Sequence, residues 1–152
     1  MKLAKAFAAS SLFLLLAASG LHAACSTASV AGRFGFTTTG SIPAVGPVAA
    51  TGIFAQDASG NITGAQTRSL NGSVADETFT GTATVNSDCT GTDTVQVFQD
   101  GSLVRTTTLH VVYDDNGREA RAIFTSLVLP NGVSLPSIIT IEARKLFSRE
   151  AD

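Results

Sequence analysis

The side chains in this sequence that could act as acid, base, nucleophile or ligand anchor are few: His110, Tyr113, Glu77, Glu119, Glu142, Arg68, Arg105 and Arg121. None stands in a recognised catalytic spacing. His110 is the only histidine after His22, so a multi-histidine metal centre is excluded and a Ser-His-Asp triad would have to use this one residue. Asp114-Asp115-Asn116 offers clustered oxygens, but the spacing fits no twelve-residue calcium loop. Together with Asp57, Asn61 and Asp88 these residues read as turn formers. Asn61-Ile-Thr63 and Asn71-Gly-Ser73 match the glycosylation acceptor formally, and both asparagines also suit turns. No metal site, no cofactor and no catalytic residue is assigned.

Alternation decides which candidates could face a common interior. In the stretch around residues 102–113, His110 shares a face with Val104, Thr106, Thr108 and Val112, while Arg105 and Tyr113 lie with Leu103, Leu109 and Val111. The second face is the more apolar and is expected inside, which leaves His110 exposed. An inward Arg105 and Tyr113 among aliphatic neighbours could hold a ligand carboxylate or carbonyl, with Glu77 as a third candidate. The competing reading is that Arg105 pairs with Glu77 or Glu142, or reaches water at a rim. Glu119, Arg121, Glu142 and Arg144 read first as solvated cross-strand charges.

The elements that would carry these residues are strands. Runs of β-branched and aromatic residues alternate with small or polar ones, and turn signals separate them at meander spacing. Eight strands are expected: 30–39, 48–56, 62–70, 75–86, 92–99, 102–113, 118–129 and 137–147. Loops 40–47 and 130–136 each hold two prolines, which exclude a regular ladder there. Asn71-Gly72, Asp100-Gly101 and Asn116-Gly117 mark tight hairpins. Glu77, Phe79, Gly81, Ala83 and Val85 share one face of strand four, and Thr78, Thr80, Thr82 and Thr84 the other. After the leader, no segment carries an apolar repeat at helical spacing. The fold class expected is all-β, a small antiparallel up-and-down barrel of about eight strands, with a two-sheet β-sandwich as the alternative. Glycines inside strand patterns, at positions 35, 52, 64 and 81, favour the barrel modestly.

Residues 1–23 read as a secretory signal peptide: Lys2 and Lys5, an apolar run from Phe7 to Ala18, then small residues before a cut after Ala23. The run is too short for a spanning helix, so no membrane span is expected. Residues 24–152 then form a single β-barrel domain of about 129 residues, secreted or periplasmic. It carries eight Lys and Arg against twelve Asp and Glu, a net charge of about −4 without a basic face, which argues against nucleic acid. Cys25 and Cys89 are an even pair for an oxidising compartment and are expected to form a disulfide. The alternative for Cys25 is a lipid anchor, since His22-Ala-Ala-Cys25 partly matches a lipoprotein box.

Two segments, Gly60-Asn-Ile-Thr-Gly64 and Thr80-Gly-Thr-Ala-Thr-Val-Asn-Ser-Asp-Cys-Thr-Gly91, resemble a group of uncharacterised secreted bacterial proteins. In that group a Gly-Asn-x-x-Gly turn precedes a Thr-Gly-Thr-x-Thr-Val-Asn-x-Asp-Cys-Thr-Gly hairpin, and the resemblance covers most of the mature chain. The resemblance implies a cysteine shortly after the signal, matching Cys25, and a strand pattern similar to lipocalin and allene oxide cyclase barrels. It implies no activity, because the barrel likeness concerns fold alone.

Three functions are therefore expected in order. The first is a non-enzymatic exported barrel that binds a small apolar or amphipathic ligand or serves as an envelope interaction module. The second is an allene oxide cyclase-like isomerase that needs only a shaped cavity and one or two polar residues. The third is a structural or adhesive surface protein whose interior is filled by Phe34, Phe36, Phe54, Phe79, Phe98 and Phe124.

Overall fold

Residues that alternate between β-branched or aromatic and small or polar give each segment of this chain one dry and one wet face, and such strands are stable only when the dry faces meet. The computed structural model describes residues 24–146; the expected signal peptide, residues 1–23, and the end of the expected eighth strand with the tail, residues 147–152, lie outside the described residues. The strands are β1 Gly32–Ile42, β2 Gly46–Gln56, β3 Asn61–Leu70, β4 Ser73–Val85, β5 Thr90–Gln99, β6 Ser102–Asp114, β7 Glu119–Val128 and β8 Ile138–Lys145. Each pairs antiparallel with the next, and β8 returns to β1 from Phe34↔Lys145 to Ser41↔Ile138. The result is a closed eight-stranded up-and-down barrel rather than a sandwich, with no free sheet edge.

Tight turns make the meander possible. Asn71-Gly72 and Asp100-Gly101 both take positive φ, the left-handed backbone that a two-residue hairpin needs. The loop expected over residues 40–47 is shorter than its prolines suggested: β1 runs on to Ile42, and Pro47 pairs with Ser41 inside β2. Pro47 gives up an N–H close to a strand end, while its carbonyl still accepts from Asn71 N at 2.8 Å.

The expected start of strand one is also corrected. Strand one, expected from Val30, begins at Gly32, because Val30 closes a single helical turn, Thr27–Val30 (α1). Ser26 Oγ accepts from Ser29 N at 3.2 Å and Ser29 Oγ accepts from Ser26 N at 2.9 Å, a reciprocal box that fixes a turn without any apolar period. Val30 is almost fully buried and packs against Gly117 of the β6–β7 turn. Just before α1, Cys25 and Cys89 form a disulfide with their Cα atoms 4.9 Å apart. That bond uses the thiol a lipid anchor would need.

This end of the barrel, which also holds the β2–β3, β4–β5 and β6–β7 turns, is capped by α1. The other four connections gather at the opposite end. There Ile42, Val48, Leu127 and Ile139 form a buried collar with Leu70, Leu129 and Leu135 against it. The larger core cluster fills the middle and the capped end, with the Phe54 ring against those of Phe34 and Phe36 and Phe36 edge-on to Phe79. Phe79 lies across Gly64, where an added Cβ would come within 2.4 Å of its ring, so the inward glycine leaves the ring its place.

Candidate functional site

An eight-stranded barrel encloses an interior just wide enough for its own side chains or for one small molecule, so side-chain size on the inner face settles which. Here it leaves a cavity of about 410 Å³ running along the axis. Aliphatic and aromatic groups such as Phe36, Ile62, Phe79, Leu109, Val111 and Phe124 form most of its wall. The space reaches exposed Val45 at the uncapped end, which we call the mouth. The six phenylalanines do not fill this interior: Phe98 pairs with the outward Thr78 and faces away from it, and the others leave the cavity between them.

Two polar clusters interrupt the apolar wall. Near the mouth, Glu77 on β4 has no exposed side-chain surface and is met by four donors. Arg105 grips both oxygens in a fork, Nη1 to Oε1 at 2.8 Å and Nη2 to Oε2 at 2.6 Å. Arg68 Nε donates to Oε1 at 2.7 Å and Gln66 Nε2 to Oε2 at 2.7 Å. Burial alone would raise the Glu77 carboxyl, but the hydrogen bonds and charge of Arg105, followed by the hydrogen bonds from Arg68 and Gln66, outweigh it and hold it at about 2. Two arginines against one carboxylate leave the cluster with one excess positive charge, and Arg68 Nη1 is buried with no partner.

Toward the capped end stand Asp93 on β5 and Tyr113 on β6, both lining the cavity and both buried. The Tyr113 hydroxyl donates to Gln56 Oε1 at 3.1 Å, crossing from β6 to β2 to close the floor. Burial, and after it the charge of Asp93, push the Tyr113 phenol above its ordinary value. Asp93 is 8% exposed, and its Oδ1 has no hydrogen-bond partner. Burial pushes its carboxyl up to about 7.

A pH dependence follows. The folded chain keeps a proton on Asp93 that the unfolded chain has released above 3.8, so this group's contribution is whole below that pH and is lost as pH rises to about 7. Stability should fall across that window by up to about 1.4 kcal/mol per pH unit. Asp93→Asn should flatten the slope in urea unfolding at pH 5 and 7, and an unchanged slope would remove Asp93 as its cause. Glu77 does not blur this test, since its own contribution is complete above 4.5.

Of the residues singled out in the sequence, Glu77 and Arg105 come together, as the competing reading had it. Tyr113 does not join them: it lies eight positions from Arg105 along one strand, roughly 25 Å away at strand rise, so the two cannot hold one ligand group. Glu142 is exposed and outside; Glu119 pairs with Arg144, and Arg121 pairs with Asp114. His110 is exposed. Leu103, expected to face inward with Arg105, pairs with the outward Phe98, because a register shift after Val97 makes Val104 the extra residue and turns Val104 and Arg105 toward the cavity. Asp93 was missed altogether, although Gly91, Asp93, Val95 and Val97 are an alternate set whose other members are small or apolar.

No protein-family profile and no curated protein matches this chain. Among solved structures it is similar to a redesigned β-barrel, mFAP1, bound to DFHBI, at 15% identity and TM-score 0.52, covering 76% of this chain and 94% of that one. It is also similar to EF1p2_mFAP2b bound to DFHBI, at 9% identity and TM-score 0.57, covering 80% of this chain and all of the other. At such identities the likeness concerns the fold.

Proposed function

We propose that this protein, exported from the cytoplasm, binds one small apolar or amphipathic molecule inside its barrel and does not transform it. The observation that carries the reading is the cavity of about 410 Å³, inside the range of roughly 300–1,000 Å³ usual for small-molecule sites and lined mainly by apolar groups with a few polar ones. At the mouth the Glu77 carboxylate is already engaged by Arg105, Arg68 and Gln66, which suits the polar end of an amphiphile better than bond-making chemistry. Both similar structures are described as bound to DFHBI, which supports occupancy of a barrel of this shape by a small molecule. Export is supported by the pattern of residues 1–23 and by the Cys25–Cys89 disulfide. Titration with an apolar fluorophore, with Ala122→Phe as the variant that occupies the cavity, tests the reading.

A further inference from the structure

Every buried carboxylate asks for donors, and the two inside this barrel are treated oppositely. Glu77 receives four hydrogen bonds, whereas Asp93, more than nine-tenths buried on the cavity wall, has an enclosed Oδ1 that none of the described residues answers. Across its two ladders Asp93 faces Ala83 and Leu109, which have no polar side-chain atom. Tyr113 is the titratable group beside it, and its hydroxyl is already given to Gln56. The Nε2 of that Gln56 is also buried without a partner. A buried acceptor left unmade is costly, and an ionised one more so, so a molecule that enters the cavity carrying a donor gains by placing it at Asp93.

The geometry points to Asp93 as the anchor for a basic nitrogen of the bound molecule, an assignment that rests on the interior-binding reading above and names its ligand class as an aliphatic amine. A protonated amine brings both the donor and the countercharge that Asp93 lacks, where a hydroxyl would bring the donor alone. The rest of the cavity steers it the same way. The mouth cluster carries one excess positive charge, which repels an ammonium group there and leaves Asp93 as the one acidic oxygen on the cavity wall without a partner among the described residues. The level of Arg105 is set by Val97 on β5, four residues from Asp93, about 13 Å along the strand and about 10 Å along the axis at usual barrel tilt. An apolar chain of that length would carry its nitrogen to Asp93 and leave any acceptor at its other end at the level of Arg68 and Arg105.

The test displaces a bound apolar fluorophore at pH 8 with octylamine, octan-1-ol and octanoate, using the wild type, Asp93→Asn and Asp93→Leu, each variant first shown to keep its β circular dichroism. The wild type is expected to bind octylamine about tenfold or more tighter than octanol, and both variants to lose that preference while binding octanol within about twofold of wild type. Equal binding of amine and alcohol by the wild type, tightest binding of octanoate, or a preference that survives in both variants would overturn the assignment. If the fluorophore and all three probes fail to bind the wild type, the interior-binding reading falls and this one falls with it.

Discussion

Replacing Glu77 with leucine is expected to lower the unfolding free energy at pH 7 by about 3–5 kcal/mol, a large part of the ~5–15 kcal/mol that a domain of this size usually commands. The change leaves Arg68 and Arg105, only 13% and 15% exposed, facing one another with no carboxylate between them. Bringing a carboxyl from 4.5 down to about 2 is worth about 3 kcal/mol to the ionised form, which gives the same scale by a separate route. Because the folded value is the lower one, the contribution is complete above 4.5 and disappears as pH falls toward 2, so wild type and variant should converge in acid. Changing all three residues to leucine removes the stranded charges and should return stability to within about 1 kcal/mol of wild type or above it. Urea unfolding decides the matter: a loss under about 1 kcal/mol for Glu77→Leu would show that the arginines find water at the mouth without their partner.

Changing both Cys25 and Cys89 to serine is expected to cost about 4 kcal/mol, the chain-entropy value for a cross-link spanning 64 positions. Here the bond does more than shorten the unfolded chain. It holds the segment leading into α1, and α1 in turn sets Val30 over the capped end of the barrel. Loss of the bond should therefore expose residues 25–31 to protease before the strands open, and reductant should act on the wild type as the substitutions do. Equal midpoints with and without reductant would mean that α1 docks on its own contacts.

How much of this could be read from the chain depends on how far each signal reaches. Strand alternation is local, so it placed Glu77 and Tyr113 inside and His110 outside. Hairpin residues are local too, and Asn71-Gly72 and Asp100-Gly101 turn as their types require. A bulge is not local: the extra residue after Val97 exists because of how β5 and β6 pair, and it reversed Leu103 and brought in Val104. The Arg105–Glu77 fork and the Tyr113–Gln56 bond span 28 and 57 positions, and no spacing rule announces them. Thr27–Val30 escaped a search for apolar periodicity because its turn is made by two serine side chains. Asp93 was within reach of alternation, and what concealed it was that a buried aspartate without partners is not a pattern one looks for in a wall of valines.

Titration of the purified protein with an apolar fluorophore asks whether the barrel interior is a binding site. Saturable uptake of one molecule per chain is expected, with loss of about tenfold or more in affinity for Ala122→Phe, whose ring would occupy the cavity while the barrel stays folded. Unchanged affinity in that variant would place the dye outside the barrel, and no uptake by the wild type would contradict interior binding itself.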